Sequence, residues 1–323
     1  MLTASLLILM ATLPSKDTFT NPVWERNFPD PFVLREGNTF YAYATHNGPR
    51  GFQLLSSKDL VAWKDEGPVG LPDWSNEQLW APEVYRWKGK WYLFFSARNR
   101  ETGKRDLAVS VGDSPKGPFR HLAKLIEGTS ENPGGGDDGA IDPNLFVEDG
   151  QPYLLYIREA RPRALKIVRL SPELDRTVGE RKDLLLADRE IERGVLDAPT
   201  LLKRDGTYWL LYSSGWFQSW KRDACYRVYA ARSKSLFGPY VKGDRPILDT
   251  APGETYSPGH QCVIDLPGGE QWIAYHGWSA EGEPMYGHNP NGRTLRIDRL
   301  RWTPDGPRVD GPTVKPQPVP RVR

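Results

Sequence analysis

Lys88-Gly89-Lys90-Trp91-Tyr92-Leu93-Phe94-Phe95 reads as a tight turn on glycine followed by a strand of aromatic and apolar residues, and four other stretches repeat it. They are Glu36-Gly37-Asn38-Thr39-Phe40-Tyr41-Ala42-Tyr43, Asp149-Gly150-Gln151-Pro152-Tyr153-Leu154-Leu155-Tyr156, Asp205-Gly206-Thr207-Tyr208-Trp209-Leu210-Leu211-Tyr212 and Gly268-Gly269-Glu270-Gln271-Trp272-Ile273-Ala274-Tyr275. The glycines at 37, 89, 150, 206 and 269 are 52, 61, 56 and 63 residues apart, which leaves room for about four strands per unit. A second echo, Ser114-Pro115-Lys116-Gly117-Pro118-Phe119 and Ser235-Leu236-Phe237-Gly238-Pro239-Tyr240, occupies the same place in the unit after its glycine, with Ser57 to Trp63 in a similar slot. These mark the outer turn of a blade. The pattern predicts an all-β chain, a five-bladed β-propeller over residues 17–312, in preference to a sandwich. Gly311 to Arg323 lacks the pattern and is expected to wrap the surface or stay partly disordered.

Composition narrows the function. With 43 Lys+Arg against 41 Asp+Glu the formal charge is +2 and no long single-sign run stands out, so nucleic acid and anionic membranes are excluded as partners. A chain of 323 residues buries enough core to need no disulfide or metal staple. Cys225 and Cys262 are therefore expected to be small unpaired side chains, although an exported protein would permit a bridge. The apolar run Leu6–Met10 is too short to span a bilayer and lacks a basic flank and a clean cleavage site. Residues 1–16 read as a weak or shortened export signal, giving a secreted or periplasmic protein, with a cytoplasmic location as the alternative.

The first strand of each propeller blade runs beside the central axis, so what precedes each glycine turn by one strand should converge there. Those segments are Phe28-Pro29-Asp30-Pro31-Phe32, Leu79-Trp80-Ala81-Pro82-Glu83-Val84, Ala140-Ile141-Asp142-Pro143-Asn144 and Val195-Leu196-Asp197-Ala198-Pro199-Thr200. Blade five departs from the pattern with Ser257-Pro258-Gly259-His260-Gln261. One acid beside one proline is an ordinary turn former. Four pointing at one axis repel one another, and such clustering raises one pKa while leaving another group ionised. Glycoside hydrolysis needs that division: a protonated acid for the leaving oxygen and an ionised base for water.

Phe28-Pro29-Asp30-Pro31, Trp80-Ala81-Pro82-Glu83, Ile141-Asp142-Pro143, Tyr275-His276-Gly277-Trp278 and Gly292-Arg293-Thr294 resemble glycoside hydrolase family 43, over about Asn21 to Gly311. The resemblance implies a five-bladed enzyme acting on arabinan, xylan and related hemicellulose as an α-L-arabinofuranosidase, β-xylosidase or arabinanase, by inverting single displacement. It implies Asp30 as general base, Asp142 as the group that tunes the acid and holds the sugar, and Arg293 as a contact to substrate and carboxylates. Phe32 and Trp80 are candidates for stacking on sugar faces, and Glu83 and His260 for further substrate contacts. The partner is an oligo- or polysaccharide, and the protein is expected to be a monomer. No cofactor is required; some relatives hold calcium or sodium near such a histidine, which makes the channel near His260 a candidate ion site. His276 reads as structural.

One departure matters. The family's general acid is usually Glu in Glu-Gly-Pro or Glu-Ala-Pro, and the matching residue here is Asp197. The shorter side chain sets the proton back by about 1 Å, and an uncompensated misplacement of that size can cost roughly 10²-fold in rate. Asp197 acting through a shifted backbone, Glu192 or Glu83 acting instead, and a non-catalytic or weakly active sugar-binding propeller are the three readings. A retaining sucrose- or fructan-cleaving propeller fits the Phe-Pro-Asp-Pro segment less well.

Overall fold

A computed structural model describes residues 17–46, 50–75, 77–136, 138–219, 223–279 and 292–322; the candidate export signal at 1–16 lies outside them. Five antiparallel sheets follow one another along the chain. Blade one is Phe32–Glu36, Thr39–Ala44, Gln53–Ser57 and Trp63–Asp65, and blade two is Trp80–Trp87, Lys90–Arg98, Arg105–Gly112 and Arg120–Ile126. Blade three is Ala140–Glu148, Gln151–Arg158, Ala164–Leu170 and Thr177–Leu186; blade four is Asp197–Arg204, Thr207–Ser214, Arg227–Ser233 and Val241–Lys242. Blade five takes Tyr256–Asp265, Gln271–Trp278 and Thr294–Thr303, and its outer strand is the N-terminal Trp24–Asn27. The first strand of every blade touches the first strands of both neighbours, so the five close a ring around the axis.

All five glycine turns join first to second strands. At Lys88-Gly89, Asp149-Gly150 and Asp205-Gly206 both residues have positive φ, the turn whose twist suits a two-residue hairpin. The aromatics that follow form the packing between blades. Phe94, Phe95, Tyr156, Tyr212 and Tyr275 are wholly buried. One cluster joins Ile141 and Leu155 of blade three to Leu210 and Tyr212 of blade four, and another joins Phe40 and Leu55 of blade one to Trp272 and Ile297 of blade five. Each aromatic of this kind buries about 150–250 Å².

Closure also sets the site. Trp24–Asn27 pairs with Thr294–Thr303, Phe28 N–H donates to the Arg293 carbonyl at 2.7 Å, and Arg293 N–H donates to Asn27 Oδ1 at 3.0 Å. The chain then turns straight into Asp30, so the seam that shuts the ring brings Asp30 and Arg293 together. The tail is tied down behind it. Gln317–Pro318 pairs with Thr18–Phe19, and the Thr313 hydroxyl and Gln317 amide both donate to the buried Asp298 carboxylate. Cys225 and Cys262 are buried and unpaired.

Candidate active site

Every first strand opens with a bulge, and the bulge carries an X-Pro pair. Ladder partners Trp80↔Ser96 and Glu83↔Phe94 leave Ala81-Pro82 facing one residue of the second strand. Asp142-Pro143, Ala198-Pro199 and Ser257-Pro258 sit in the same position. In blade one, Thr45 N–H bonds the Pro29 carbonyl and Phe32 pairs with Tyr43, which leaves Asp30-Pro31. A proline is tolerated there because the bulge residue donates nothing to the ladder. The residue before it has positive φ in all five blades: Asp30 56°, Ala81 49°, Asp142 56°, Ala198 52° and Ser257 46°. That conformation is strained for a residue with a Cβ, and it re-aims the side chain toward the axis. Blade five thus shares the X-Pro bulge although, as its sequence indicates, it brings no acid there, and a second irregularity after Gly259 presents His260.

Register decides which residues reach the hub. Asp30 and Asp142 precede their prolines directly; Trp80, Ile141 and Asp197 stand one residue earlier; all five line a cavity of about 690 Å³ on the axis. Arg105, Glu159, Arg163, Tyr226, His260 and Arg293 complete much of its wall. Phe32 and Glu83 do not line it. Both lie three residues beyond Pro29 and Trp80, past the bulge, where the strand has carried them below the cavity floor. Phe32 packs on Tyr85 with ring centroids 5.1 Å apart. Glu83 accepts hydrogen bonds from the Tyr85 hydroxyl and, at 3.2 Å, from Asn144 Nδ2. Burial with only neutral donors pushes its carboxyl up to about 8, so it is protonated at neutral pH. Glu192 is also outside the cavity, paired with Lys242 Nζ at 2.6 Å. Neither glutamate can stand in for Asp197.

The three aspartates differ sharply in surroundings. Burial acts to raise the Asp30 carboxyl, but the Arg293 guanidinium, with Nη1 at 2.7 Å, outweighs it and holds the carboxyl well below the ordinary range; ring nitrogens of His260 and His276 each lie 3.3 Å from Oδ1. His276, read from sequence as structural, accepts the Asp30 backbone N–H on Nδ1 at 3.1 Å and fixes the bulge. Burial drives that imidazole down to about 3 and lowers His260 too, so both are neutral. Asp142 moves the other way. Burial first, then the charges of Asp197 and Asp30, raise it well above normal, and the Ala198 N–H on Oδ2 at 2.8 Å offsets only part. Asp197 has both oxygens engaged: Oδ1 by Arg163 Nη1 at 2.5 Å and Oδ2 by the Tyr226 hydroxyl at 3.0 Å. Burial and the surrounding carboxylates keep the Tyr226 phenol protonated, so it donates.

His260 Nδ1 is turned to Asp30, which already carries the Arg293 guanidinium, and no cluster of three or more His, Cys, Asp or Glu side chains able to hold a metal exists among the described residues. Arg163, Tyr226, Trp216 and Phe217 went unread in the sequence. They sit on the connections between strands, where no repeated motif marks them.

A pocket on a five-bladed axis, holding one carboxyl pushed well below its ordinary range beside another pushed well above it, defines a carboxylate-dependent glycoside hydrolase. The chain belongs to glycosyl hydrolases family 43, whose profile matches residues 19–307. It is 27% identical over 308 residues to the extracellular endo-α-(1→5)-L-arabinanase 1 of Bacillus subtilis, covering 86% of each chain. Identity is again 27%, over 315 residues, to the extracellular exo-α-(1→5)-L-arabinofuranosidase ArbA of Cellvibrio japonicus, covering 87% of this chain and 86% of that protein. A crystal structure of a thermostable family-43 glycoside hydrolase superposes with a TM-score of 0.80 at 28% identity, covering 95% of this chain and all of the other. The family assignment does not favour a non-catalytic sugar-binding propeller.

Proposed function

We propose that the protein cleaves pentose linkages of plant polysaccharide, α-L-arabinofuranosidic first and β-D-xylosidic second, by single displacement with inversion. The observation that carries the reading is the split between Asp30, held ionised by the Arg293 guanidinium, and Asp142, whose carboxyl is pushed well above its ordinary range by burial and by the charges of Asp197 and Asp30. An anionic Asp30 takes a proton from water as it attacks the anomeric carbon. Asp197 gives a proton to the departing oxygen. Asp142 bonds the backbone at Ala198, next to Asp197, and so ties the geometry of the acid to its own protonation. Arg293 bridges Asp30 and the sugar, and His260 flanks the same carboxylate. Trp80, with the Arg105 guanidinium 4.9 Å above it, and the half-exposed Trp216 supply aromatic faces. The two extracellular relatives support export as the companion proposal.

The test is a panel of linear arabinan, 4-nitrophenyl α-L-arabinofuranoside and 4-nitrophenyl β-D-xyloside at high protein concentration, with early products read by proton NMR. Release of sugar with inverted anomeric configuration is expected. No release from any of the three, or a retained anomer, overturns the reading.

A further inference from the structure

The substitution of Asp for the family's glutamate leaves a reach to be made up, and the structure shows what stands beside it. Arg163 leaves the blade-three hairpin just before Ala164–Leu170 and points its guanidinium along the cavity wall to Asp197. It also lies 3.5 Å from Glu159 Oε1. Glu159 takes a two-pronged bond from Arg105, Nε at 2.6 Å and Nη2 at 2.9 Å, and Arg105 reaches Asp138 at 3.1 Å. Asp138, Arg105, Glu159, Arg163 and Asp197 thus alternate in sign along one wall. Burial works against the Arg163 cation, but Asp197, Glu159 and Asp142 outweigh it and keep it charged. Tyr226 and Asp142 are the other groups facing Asp197, with His260 across the pocket.

We propose that Arg163 is the positioning residue for proton donation, offsetting the shortened acid by stabilising the carboxylate that Asp197 becomes as its proton leaves. This rests on the glycosidase reading above. In the step concerned the Asp197 O–H bond breaks and its proton passes to the glycosidic oxygen. The anomeric C–O bonding pair goes to that oxygen, while water bonds the anomeric carbon and gives its proton to Asp30. Asp197, paired with Arg163 and Tyr226 through both oxygens in the resting pocket, must therefore carry a proton when the sugar is bound, and its negative charge returns as the bond breaks, beside a guanidinium already in place. An interaction that strengthens in the transition state raises turnover more than binding. A guanidinium supplies that charge at fixed geometry, which a flexible ammonium does less well.

Arg163 should then matter in proportion to how badly the leaving group needs a proton. Arg163→Met is expected to lower kcat on α-1,5-arabinobiose by about 10²-fold, the order found on removing one preorganised donor. On 2,4-dinitrophenyl α-L-arabinofuranoside, whose leaving group departs unaided, the loss should stay below about 3-fold, and KM should change by less than about 3-fold on either substrate. Arg163→Lys, which retains charge but not the fork, should recover part of the arabinobiose rate, and it supplies the same readout should the Met variant not fold. Equal losses on both substrates from an active wild type overturn this inference alone. A wild type that turns over neither these substrates nor the matching xylosides overturns the glycosidase reading, and this inference with it.

Discussion

Asp30 and Glu83 are both buried beside a proline on a first strand, yet one carboxyl is held ionised and the other keeps its proton. The difference is register. Asp30 precedes its proline inside the bulge, where the backbone turns it to the cavity and to Arg293, His260 and His276. Glu83 follows its proline, on the far side of the bulge, where the Tyr85 hydroxyl and the Asn144 amide are its partners. Burial penalises both anions. A cation within hydrogen-bond reach reverses that penalty at Asp30, and neutral donors cannot reverse it at Glu83. The hub therefore divides into a reactive cavity above the bulges and a neutral polar plug below them.

The largest test of that division sets Asp30→Asn against Glu83→Gln. Removing a general base costs about 10²–10⁴-fold, so Asp30→Asn should lose roughly 10³-fold in kcat on arabinan or an aryl arabinofuranoside while retaining its melting curve. Glu83→Gln keeps a neutral side chain able to hydrogen-bond Tyr85 and Asn144, and should stay within about 3-fold of wild type. Comparable losses in the two variants would erase the boundary.

A smaller effect is expected in stability. The folded-state pKa of Glu83 is raised to about 8 from an unfolded value near 4.5. Between those values the unfolded chain has released a proton that the native protein retains, so stability falls as pH rises through the window. Below about pH 4.5 the contribution is fully present; above about pH 8 no more is lost. The wild type should lose on the order of a few kcal/mol between pH 5 and pH 8 from this group, read as a falling urea midpoint. Glu83→Gln should flatten that slope. A slope unchanged by the substitution would mean that Glu83 ionises in the native state.

Much of this was legible before any coordinates. Five glycine turns followed by aromatic strands give the blades because a hairpin turn and a buried strand each leave local signals. The proline beside each acid marks the bulge, though its reach is subtler. Asp30, Asp142 and Asp197 differ from Glu83 by two or three places relative to the proline, and only the ladder shows that those places straddle a cavity floor. Phe32 was lost for the same reason. Arg163 and Tyr226 are invisible for another: they meet Asp197 across 34 and 29 residues from connections that lead into the third strands of blades three and four. No spacing rule encodes such contacts. His276, read as structural, has a structural duty, to hold the Asp30 backbone N–H, although residue type gave no hint of which group it would hold.

Trp216 offers the finest probe of the cavity side. Its backbone is held hard: Gly215 has φ of +92°, a Cβ there would lie 2.2 Å from the Cys225 carbonyl, and Trp216 N–H bonds the Ala224 carbonyl at 2.7 Å. The indole is nonetheless 44% exposed at the cavity mouth, with the Phe217 ring 4.9 Å away and Arg293 above that ring. Trp216 follows the strand that pairs with Asp197, so if Asp197 protonates the leaving oxygen, Trp216 stands on the side expected for the leaving sugar. A rigid, half-exposed aromatic there suits stacking on that sugar, an interaction of about 1 kcal/mol. Trp216→Ala should raise KM for arabino-oligosaccharides roughly 5- to 10-fold, with kcat within about 2-fold, because such contacts bind ground and transition states alike. Inhibition by the monosaccharide product, which needs only the deep site at Asp30 and Arg293, should be unchanged. Weakened product inhibition to the same extent would move Trp216 from the mouth to the wall around the reacting ring.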